Sequence, residues 1–390
     1  MSKSFDPLEI GCALIRCPSV TPLEGGALDY LAKVLGDGGF NCQRMIFSEE
    51  GTPDVDNLYA RIGSSGPNLA YAGHTDVVPV GDEGAWTSPP FSALVRDGIL
   101  YGRGAADMKG GIACFLAAAL EYAAKNKGNL PGSLSFIITG DEEGPAINGT
   151  VKMLDQIKEQ GEVIDHCIVG EPTNPRALGD MIKIGRRGSL TGEIMVRGMQ
   201  GHVAYPAMAA NPVTGLVNIL HELKNRVLDE GTEHFDPSNL EITSVDVGNP
   251  ATNVIPAQAH ARFNIRFNDA HDGKSLKAWI SEVMDGALKG SRLKAEIQYQ
   301  PSSDSFLTAP GPLVDVLSAA ISSVTGRVPE LSTSGGTSDA RFIKNICPVV
   351  EFGLVNESIH QVDEHAAVDD LYKLKDIYSH MIEGYFKAFC

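Results

Sequence analysis

Long apolar runs are missing from this 390-residue sequence. No stretch reaches the roughly eighteen consecutive apolar residues that a membrane-spanning helix needs, so we expect no membrane span. The first stretch of the chain, 1–10, contains acidic side chains and a proline but no apolar core of a secretory signal. We therefore expect a cytoplasmic protein.

Closely spaced cysteine pairs are also missing. The sequence has seven cysteines, an odd number, and none of them forms a C-x-x-C pair. This pattern predicts neither a disulfide scaffold nor a zinc site built from thiolates. Any metal ion in this protein would then be bound by histidine and carboxylate side chains.

Basic residues are scarce relative to acidic ones. The sequence has 32 Lys and Arg against 49 Asp and Glu, which gives a formal net charge of -17. Such a charge argues against nucleic acid or an anionic membrane surface as a partner. A small anionic substrate would require a local group of arginines within this acidic background.

The first half of the sequence alternates between helical and strand patterns. The predicted helices cover 7–15, 27–35 and 108–124, and the predicted strands cover 68–72, 134–139 and 165–169. This order predicts an α/β fold with a mainly parallel mixed sheet flanked by helices. Ligands of such sheets bind beyond the carboxyl ends of the strands. The residues that follow these three strands include His74, Glu142, Glu143 and Glu171.

The middle of the sequence has a different pattern. Four stretches alternate between apolar and polar residues, as strands with one exposed face do, at 190–196, 240–247, 259–267 and 293–300. Two helical stretches lie among them, at 212–227 and 276–288. We therefore expect an inserted α+β domain over residues 188–301, with a four-stranded antiparallel sheet and two helices. Residues 1–187 and 302–390 would form the other domain.

Two short motifs allow both a structural and a metal-binding interpretation. In Gly73-His74-Thr75-Asp76, a histidine and a carboxylate two positions apart can point the same way, but such a pair is often only a turn. In the stretch 102–111, GRGAADMKGG, glycines precede a helix. Asp107 suits the N-cap of that helix, and this motif alone favours the cap over a metal ligand.

An acidic motif, Gly140-Asp141-Glu142-Glu143-Gly144, follows a strand that we predict to be buried. Three adjacent acids repel one another unless a cation is present, although a solvated loop is the simpler explanation. If a cation is present, Glu142 and Glu143 can take different roles, one as a metal ligand and the other as a base.

Two further motifs complete the candidate ligands. Glu171 lies in Gly-Glu-Pro-Thr after the third strand, and His360 lies in Ile-His-Gln-Val-Asp-Glu near the end of the sequence. Together the motifs supply two histidines and three or four carboxylates. This ligand set suits zinc or another divalent ion that accepts both nitrogen and oxygen ligands.

The order of these motifs resembles the family of zinc aminoacylases and carboxypeptidases with two cocatalytic metals. The resemblance covers residues 5–390 and rests on G-H-T-D, G-R-G-x-x-D-M-K-G-G, D-E-E-G, G-E-P-T and H-x-x-x-E. Further matching stretches are 185–189 (GRRGS), 201–206 (GHVAYP), 253–257 (NVIPA) and 334–342 (SGGTSDARF). They point to the branch of the family that removes acyl groups from amino acids.

The resemblance implies a metal-binding role for five residues. His74 and Glu171 would bind one zinc ion, Glu143 and His360 would bind the other, and Asp107 would bridge the two ions. Cobalt could replace zinc at one or both sites. The resemblance also implies a cis peptide bond between Asp107 and Met108.

Three further residues would take part in catalysis by the same resemblance. Asp76 would orient His74, and Glu142 would act as the general base. His202, which lies in the inserted domain, would reach the active site of a partner subunit and bind the developing oxyanion. The protein would therefore be a homodimer that associates through the inserted domain. For His202, the alternative is a loop histidine that makes a structural hydrogen bond.

The substrate that the resemblance implies is N-succinyl-LL-2,6-diaminopimelate, an acyl amino acid with several carboxylates. Arg186 and Arg266 are the candidates for binding these carboxylates, because arginine can bind a carboxylate through two hydrogen bonds. The resemblance adds neutral hydrogen-bonding candidates at Ser189, Asn253, Gly336, Thr337 and Asn356.

Three other functions stay open at this point. A deacetylase acting on acetylornithine would keep the five metal ligands and change the substrate pocket. A dipeptidase fits less well, because the peptidases of this family often have Asp at the position of Glu171. A binding protein on an inactive scaffold would be expected to lack a ligand or the base, and this sequence has both.

Overall fold

A computed structural model describes residues 5–390, which fall into two units. The first unit comprises the described residues up to Ile184, together with Thr308–Ser332 and Ser338–Cys390. The second unit comprises Gly185–Leu307 and Thr333–Thr337.

The described residues form helices and strands that are numbered here in chain order. The helices are α1 Pro7–Ile15, α2 Ala27–Asp37, α3 Lys109–Lys125, α4 Thr150–Glu159, α5 Pro212–Asn225, α6 Gly273–Ala287, α7 Pro312–Thr325, α8 Ala340–Ile343 and α9 Val368–Phe389. The strands of the first unit are β1 Asn41–Phe47, β2 Val55–Ile62, β3 Asn68–His74, β4 Leu94–Arg96, β5 Ile99–Tyr101, β6 Ser133–Thr139, β7 His166–Val169, β8 Met181–Lys183, β17 Glu330–Ser332, β18 Val349–Glu351 and β19 His365–Ala367. Those of the second unit are β9 Gly185–Arg186, β10 Gly188–Arg197, β11 Gly201–His202, β12 Asn239–Asp246, β13 Val254–Ile255, β14 Gln258–Phe267, β15 Lys294–Tyr299 and β16 Phe306–Leu307.

An eight-stranded mixed sheet organises the first unit. Its strand order is β1-β2-β6-β3-β7-β18-β8-β17. Four neighbouring pairs are parallel: β6 with β3, β3 with β7, β7 with β18, and β8 with β17. The other neighbours are antiparallel. The predicted α/β class with a mainly parallel mixed sheet is therefore confirmed.

The central strands explain why ligands gather at one edge of this sheet. Every residue of β3 and β6 is buried, as expected of strands that are covered on both faces. Because β3, β6 and β7 run parallel, their carboxyl ends meet at the same edge.

Helix α3 begins at this edge, where it comes unusually close to the sheet. A Cβ atom at Gly111 would lie 2.9 Å from the carbonyl oxygen of Gly170, and one at Gly73 would lie 2.7 Å from Cε of Met108. At Gly111 the close atom belongs to the backbone, so a side chain there would push the helix away from the sheet. The residues before α3, including Asp107, therefore lie beside the ends of β3 and β7. Further along, α3 packs against α1 and α9.

The second unit contains a separate antiparallel sheet with strand order β12-β14-β10-β15. Alternate residues of β10 and β14 are buried, which matches the predicted alternation. Helices α5 and α6 cover one face, where Leu216, Ile219 and Trp279 join a core with Ile194 and Phe263. The predicted four-stranded antiparallel sheet is confirmed.

No helix within residues 5–390 is long and apolar enough to cross a membrane.

Candidate metal centre

Five candidate ligands reach one place in the first unit from five different segments. His74 is the last residue of β3, and Glu171 lies two residues after β7. Glu143 follows β6, Asp107 precedes α3, and His360 lies in the loop between β18 and β19. The sheet thus supplies three of these side chains from neighbouring strands, and two loops supply the others.

The distances divide these side chains into two groups that share Asp107. Nε2 of His74 lies 3.3 Å from Oδ1 of Asp107 and 3.9 Å from Oε1 of Glu171. Nε2 of His360 lies 3.2 Å from Oδ2 of Asp107 and 2.9 Å from Oε1 of Glu143. Asp107 therefore presents one carboxylate oxygen to each histidine, which is the arrangement of a carboxylate that bridges two ions.

Unpartnered polar atoms show that these residues fit a metal ion. Nε2 of His74 and Oδ1 of Asp107 are buried and have no hydrogen-bond partner among the described residues. A buried polar atom without a partner costs about 1–3 kcal/mol. Within each of the two groups the ligand atoms lie within 4.8 Å of one another, and His74 also forms such a group with Glu142 and Glu143. Both unpartnered atoms belong to the group of His74, Asp107 and Glu171, and a cation there would supply the missing partners.

The protonation of the histidines reflects the excess of carboxylates. Burial lowers the pKa of His74, but the nearby Asp107 carboxylate, 3.3 Å from Nε2, and the charges of Glu142 and Glu171 outweigh this and hold the pKa well above its usual range. Hydrogen bonds to Asp107 and Glu143 raise the pKa of His360 to about 10. The centre therefore attracts positive charge, which protons supply when no metal ion is bound.

Asp107 does not cap helix α3. The N-cap residue of α3 is Met108, and no side chain caps this end. Burial opposes ionisation of Asp107, but the close contacts of its two oxygens with His360 and His74 lower the pKa of its carboxyl group below the ordinary range. The N-cap interpretation of Asp107 was wrong. The expected cis peptide bond between Asp107 and Met108 is confirmed.

Asp76 contacts different atoms from those that we expected. Nδ1 of His74 lies 2.9 Å from the backbone carbonyl oxygen of Asp76, whereas the nearest carboxylate oxygen is 3.7 Å away. The carboxylate instead accepts hydrogen bonds from the backbone N–H groups of Glu142 and Glu143 and from the Thr21 hydroxyl. Asp76 thus links the His74 strand end to the acidic loop after β6.

Glu142 has the surroundings of a carboxyl group that can exchange a proton. Its side chain is half-buried. Burial, followed by the charge of Glu171, raises the pKa of Glu142 well above its usual range. An acid or base works best when its pKa lies near the working pH, so this shift favours Glu142 over an unperturbed carboxylate.

Sequence reasoning missed one carboxylate beside this centre. Asp339 is buried, accepts a hydrogen bond of 2.6 Å from the Thr150 hydroxyl, and has one oxygen without a hydrogen-bond partner among the described residues. Burial raises its pKa to about 6, and its charge contributes to the raised pKa of Glu142. The only available signal was its place in the SGGTSDARF stretch.

Most of the predicted substrate residues belong to the second unit. This set comprises Arg186, Ser189, Asn253, Arg266, Gly336 and Thr337. Ser189 and Arg266 are paired residues of β10 and β14, and Nη1 of Arg186 donates to the carbonyl of Ser334 at 3.4 Å. Burial and then the charge of Arg187 lower the pKa of Arg266. Asn356 lies in the first unit, where its backbone N–H donates to the Asn174 carbonyl.

His202 lies in the second unit, on the short strand β11, and its side chain is exposed. Its Nδ1 accepts a hydrogen bond of 3.1 Å from the backbone N–H of Ala204. This bond fixes a proton on Nε2 of the neutral ring and leaves that atom for another partner.

Comparison with known proteins gives a consistent family. Residues 70–384 match the model of peptidase family M20/M25/M40. A succinyl-diaminopimelate desuccinylase from Methylorubrum populi is 58% identical over 383 residues, which cover 98% of this chain and 99% of that protein. One from Rhodopseudomonas palustris is 57% identical over 389 residues, with both chains fully covered.

Solved structures show the same fold at low sequence identity. An M20 metallo-carboxypeptidase from Sulfolobus solfataricus superposes with a TM-score of 0.78 at 19% identity, covering 98% of this chain and 99% of that chain. A dinuclear metal-binding peptidase of the M20 family from Bacillus subtilis gives a TM-score of 0.71 at 18% identity, covering 98% of both chains. With the family model matching most of its length, the chain belongs to peptidase family M20/M25/M40.

Proposed function

We propose that this protein hydrolyses N-succinyl-LL-2,6-diaminopimelate to succinate and LL-2,6-diaminopimelate, with two zinc ions per subunit. The observation that carries the hydrolase assignment is the position of Asp107, with one carboxylate oxygen facing His74 and the other facing His360. The succinyl substrate is supported by the full-length similarity to desuccinylases. The product is a precursor for lysine and cell-wall synthesis.

Five residues would hold the metal ions. His74 and Glu171 would bind one ion, Glu143 and His360 the other, and Asp107 both. Mixed histidine and carboxylate ligands suit zinc, and cobalt has similar preferences. When bound, the ions would lower the pKa of a water molecule and polarise the amide carbonyl group.

Glu142 would move the proton. It takes a proton from the attacking water as the new C–O bond forms at the amide carbonyl carbon. It then gives that proton to the amide nitrogen as the C–N bond breaks, so that succinate and a free amine leave. The raised pKa of Glu142 supports both steps, because the group must accept and release a proton in one cycle.

The second unit would bind the substrate carboxylates and form the dimer. Arg186 and Arg266 would bind carboxylates, with hydrogen bonds from Ser189, Asn253, Gly336, Thr337 and, in the first unit, Asn356. The inserted domain, residues 188–301, would pair two subunits, and His202 would reach the partner's active site to bind the oxyanion. The exposure of His202 and the hydrogen bond that holds its Nδ1 support this role. The cytoplasmic location remains part of the proposal.

The test is release of a primary amine from N-succinyl-LL-2,6-diaminopimelate by the zinc-loaded protein, with N-acetylornithine assayed in parallel. We expect rapid hydrolysis of the succinyl compound and little hydrolysis of the acetyl compound. Activity on the acetyl compound alone would keep the hydrolase and replace the substrate. If neither compound is hydrolysed, the protein would instead be a binding protein on this scaffold.

A further inference from the structure

A single buried residue, Glu364, holds the loop that carries Asp107. The side chain of Glu364 is fully buried. Its backbone carbonyl accepts one N–H group of the loop at 2.9 Å, and its two carboxylate oxygens accept three more at 3.0 Å each. The four donors are Gly102, Gly104, Ala106 and Asp107. One residue thus binds four of the six backbone N–H groups between Gly102 and the proposed bridging ligand, Asp107.

Arg103 completes this arrangement from within the same loop. Its guanidinium group is buried and donates to Oε2 of Glu364 at 2.9 Å and to the carbonyl of Gln361 at 3.2 Å. The group also lies over the Trp86 ring, 5.2 Å from its centre. The ion pair balances the charge that Glu364 brings into the interior, and it ties the Asp107 loop to residues 361–364.

The segment that Arg103 and Glu364 tie to the Asp107 loop also carries His360, a proposed ligand of the second metal ion. His360 lies one residue before Gln361 and four before Glu364, and its side chain is 48% exposed. It adopts a left-handed backbone conformation with a φ of 61°. Apart from Asp107 and Glu143, packing does little to hold such an exposed side chain. The chain segment from His360 to Glu364 therefore sets where the imidazole lies relative to Asp107.

We infer that Arg103 and Glu364 are positioning residues that fix the distance between Asp107 and His360, and so determine the affinity for the second metal ion. This inference rests on the metal-binding roles in the proposed function. His74 and Glu171 are placed by the ends of β3 and β7 instead, so the first ion depends less on this pair.

Glutamine cannot replace Glu364 in this position. One carboxylate oxygen faces the N–H groups of Ala106 and Asp107, and the other faces the N–H of Gly104 and the guanidinium of Arg103. In either orientation, an amide NH₂ group would face donors and have no acceptor. The Glu364→Gln variant should therefore displace the Asp107 loop without changing the size of the side chain.

The experiment is a calorimetric titration of the metal-free protein with Zn²⁺, which needs no substrate. For Glu364→Gln we expect the second equivalent of zinc to bind roughly ten- to a hundredfold more weakly, with a smaller change for the first. In a titration with Co²⁺, the visible absorption that the second ion adds should appear only at higher Co²⁺ concentration than in the unchanged protein. Glu364→Asp, which keeps the charge, should restore part of the affinity.

Two more variants make the result decisive. Arg103→Lys keeps the charge but loses Nη2, which donates to the Pro79 carbonyl at 3.4 Å, and the planar group that lies over Trp86. It should therefore weaken binding of the second zinc equivalent less than Glu364→Gln does. This variant also serves as the test if Glu364→Gln does not fold. Glu162→Gln is the matched control, because it removes a carboxylate paired with Arg61 in the same unit and should bind zinc like the unchanged protein.

Three outcomes would contradict the inference. They are unchanged affinity for both equivalents, equal weakening of both, and a lower melting temperature with unchanged zinc binding. If the unchanged protein does not bind two equivalents at all, the two-metal function fails instead, and the two failures are distinguishable.

Discussion

Glu142 and Glu143 are neighbours in the sequence with different surroundings in the structure. Glu143 lies 2.9 Å from Nε2 of His360, in the group around Asp107. Glu142 lies outside that group and has the raised pKa. Under the proposed roles, one of these adjacent carboxylates is a metal ligand and the other is the base.

Replacing Glu142 by glutamine should reduce kcat about 10²- to 10⁴-fold, because the amide can neither take nor return the proton. Binding of both zinc equivalents should stay unchanged, since Glu142 is not one of the proposed ligands. Steady-state kinetics and zinc titration together check this. Glu143→Gln is the matched control and should lose zinc affinity. A Glu142→Gln variant with normal kcat would exclude the base role.

Gly170 is a second residue on which the geometry of the candidate site depends, because it precedes Glu171 and packs against Tyr71. A Cβ atom there would overlap the hydroxyl group of Tyr71, whose ring is buried and stacked on Phe115 with centroids 4.4 Å apart. We expect Gly170→Ala to reduce the free energy of unfolding by about 1–3 kcal/mol and to weaken zinc binding by displacing Glu171.

Urea unfolding and zinc titration measure these two effects. Gly36→Ala is the control, because Gly36 lies within helix α2 and a Cβ there would meet nothing within 4 Å. It should be neutral or stabilise the protein by about 0.5–1 kcal/mol. If both variants behave alike, the packing of Tyr71 against Gly170 does not hold the end of β7.

The sequence motifs contained both the ligands and the residues that hold them, but they did not show which residues pair. Arg103 is the arginine of the G-R-G-x-x-D-M-K-G-G motif, and Glu364 is the glutamate of the H-x-x-x-E motif. His74, Glu171 and His360 lie in short patterns whose order is informative. Arg103 and Glu364 are 261 positions apart, and as single charged residues they would ordinarily be expected on the surface. Only the fold shows that they form a buried pair.

At the scale of elements, one carboxylate organises the loops around β12 and β14. Oδ1 of Asp229 accepts hydrogen bonds from the backbone N–H of Gly231 at 2.8 Å and from Nδ2 of Asn268 at 2.6 Å. Ser238 donates to both oxygens, and His271 lies 3.1 Å from Oδ2. Burial opposes ionisation, but the hydrogen bonds from Ser238, Gly231 and Asn268 lower the pKa of Asp229 to about 2.

This lowered pKa predicts a pH-dependent contribution to stability. A carboxyl group with a lower pKa in the folded state stabilises the protein above its unfolded pKa, near 4, and the contribution is lost as the pH falls toward 2. Asp229→Asn should reduce the free energy of unfolding by about 1–2 kcal/mol at pH 7, a figure discounted for solvent screening. The difference should shrink below pH 4.

Urea unfolding of the second unit between pH 7 and pH 3 measures this. Asp269→Asn is the control, because Asp269 is exposed. The stability of this variant should follow that of the unchanged protein at every pH. A difference between Asp229→Asn and the unchanged protein that stays constant with pH would show that charge is not the cause.

Most helices and strands could be predicted because they are long enough to show a repeating pattern of apolar residues. The predicted strand 259–267 corresponds to β14, Gln258–Phe267, and the predicted helix 108–124 corresponds to α3, Lys109–Lys125. Strands β1 and β2 were missed. Strand β1 lies at the sheet edge, with one buried residue in its seven, and so has no clear alternation. Three-residue strands such as β4 are too short for any period.

At the scale of the whole molecule, the two units have unequal roles in metal binding. All five candidate ligands belong to the first unit, as do Asp76 and Glu142. The second unit has its own apolar core around Phe263 and Trp279. A ligand that binds only the folded state stabilises the unit that binds it.

Removing the metal ions should therefore destabilise the units unequally. Scanning calorimetry should show that a chelator lowers the melting temperature of the first unit by several degrees, while the transition of the second unit stays in place. Adding back zinc should reverse the shift. Equal shifts of both transitions, or no shift, would contradict the assignment of the ligands to the first unit alone.

The order of the strands in the large sheet has a consequence for protein synthesis. Strand β18 lies between β7 and β8, although it comes more than 160 residues after them in sequence. His360 and Glu364 come after β18 in the sequence. A nascent chain therefore emerges from the ribosome with a gap in its sheet and without these two residues. Under the proposed roles, hydrolytic activity begins only after residues 360–364 have been translated.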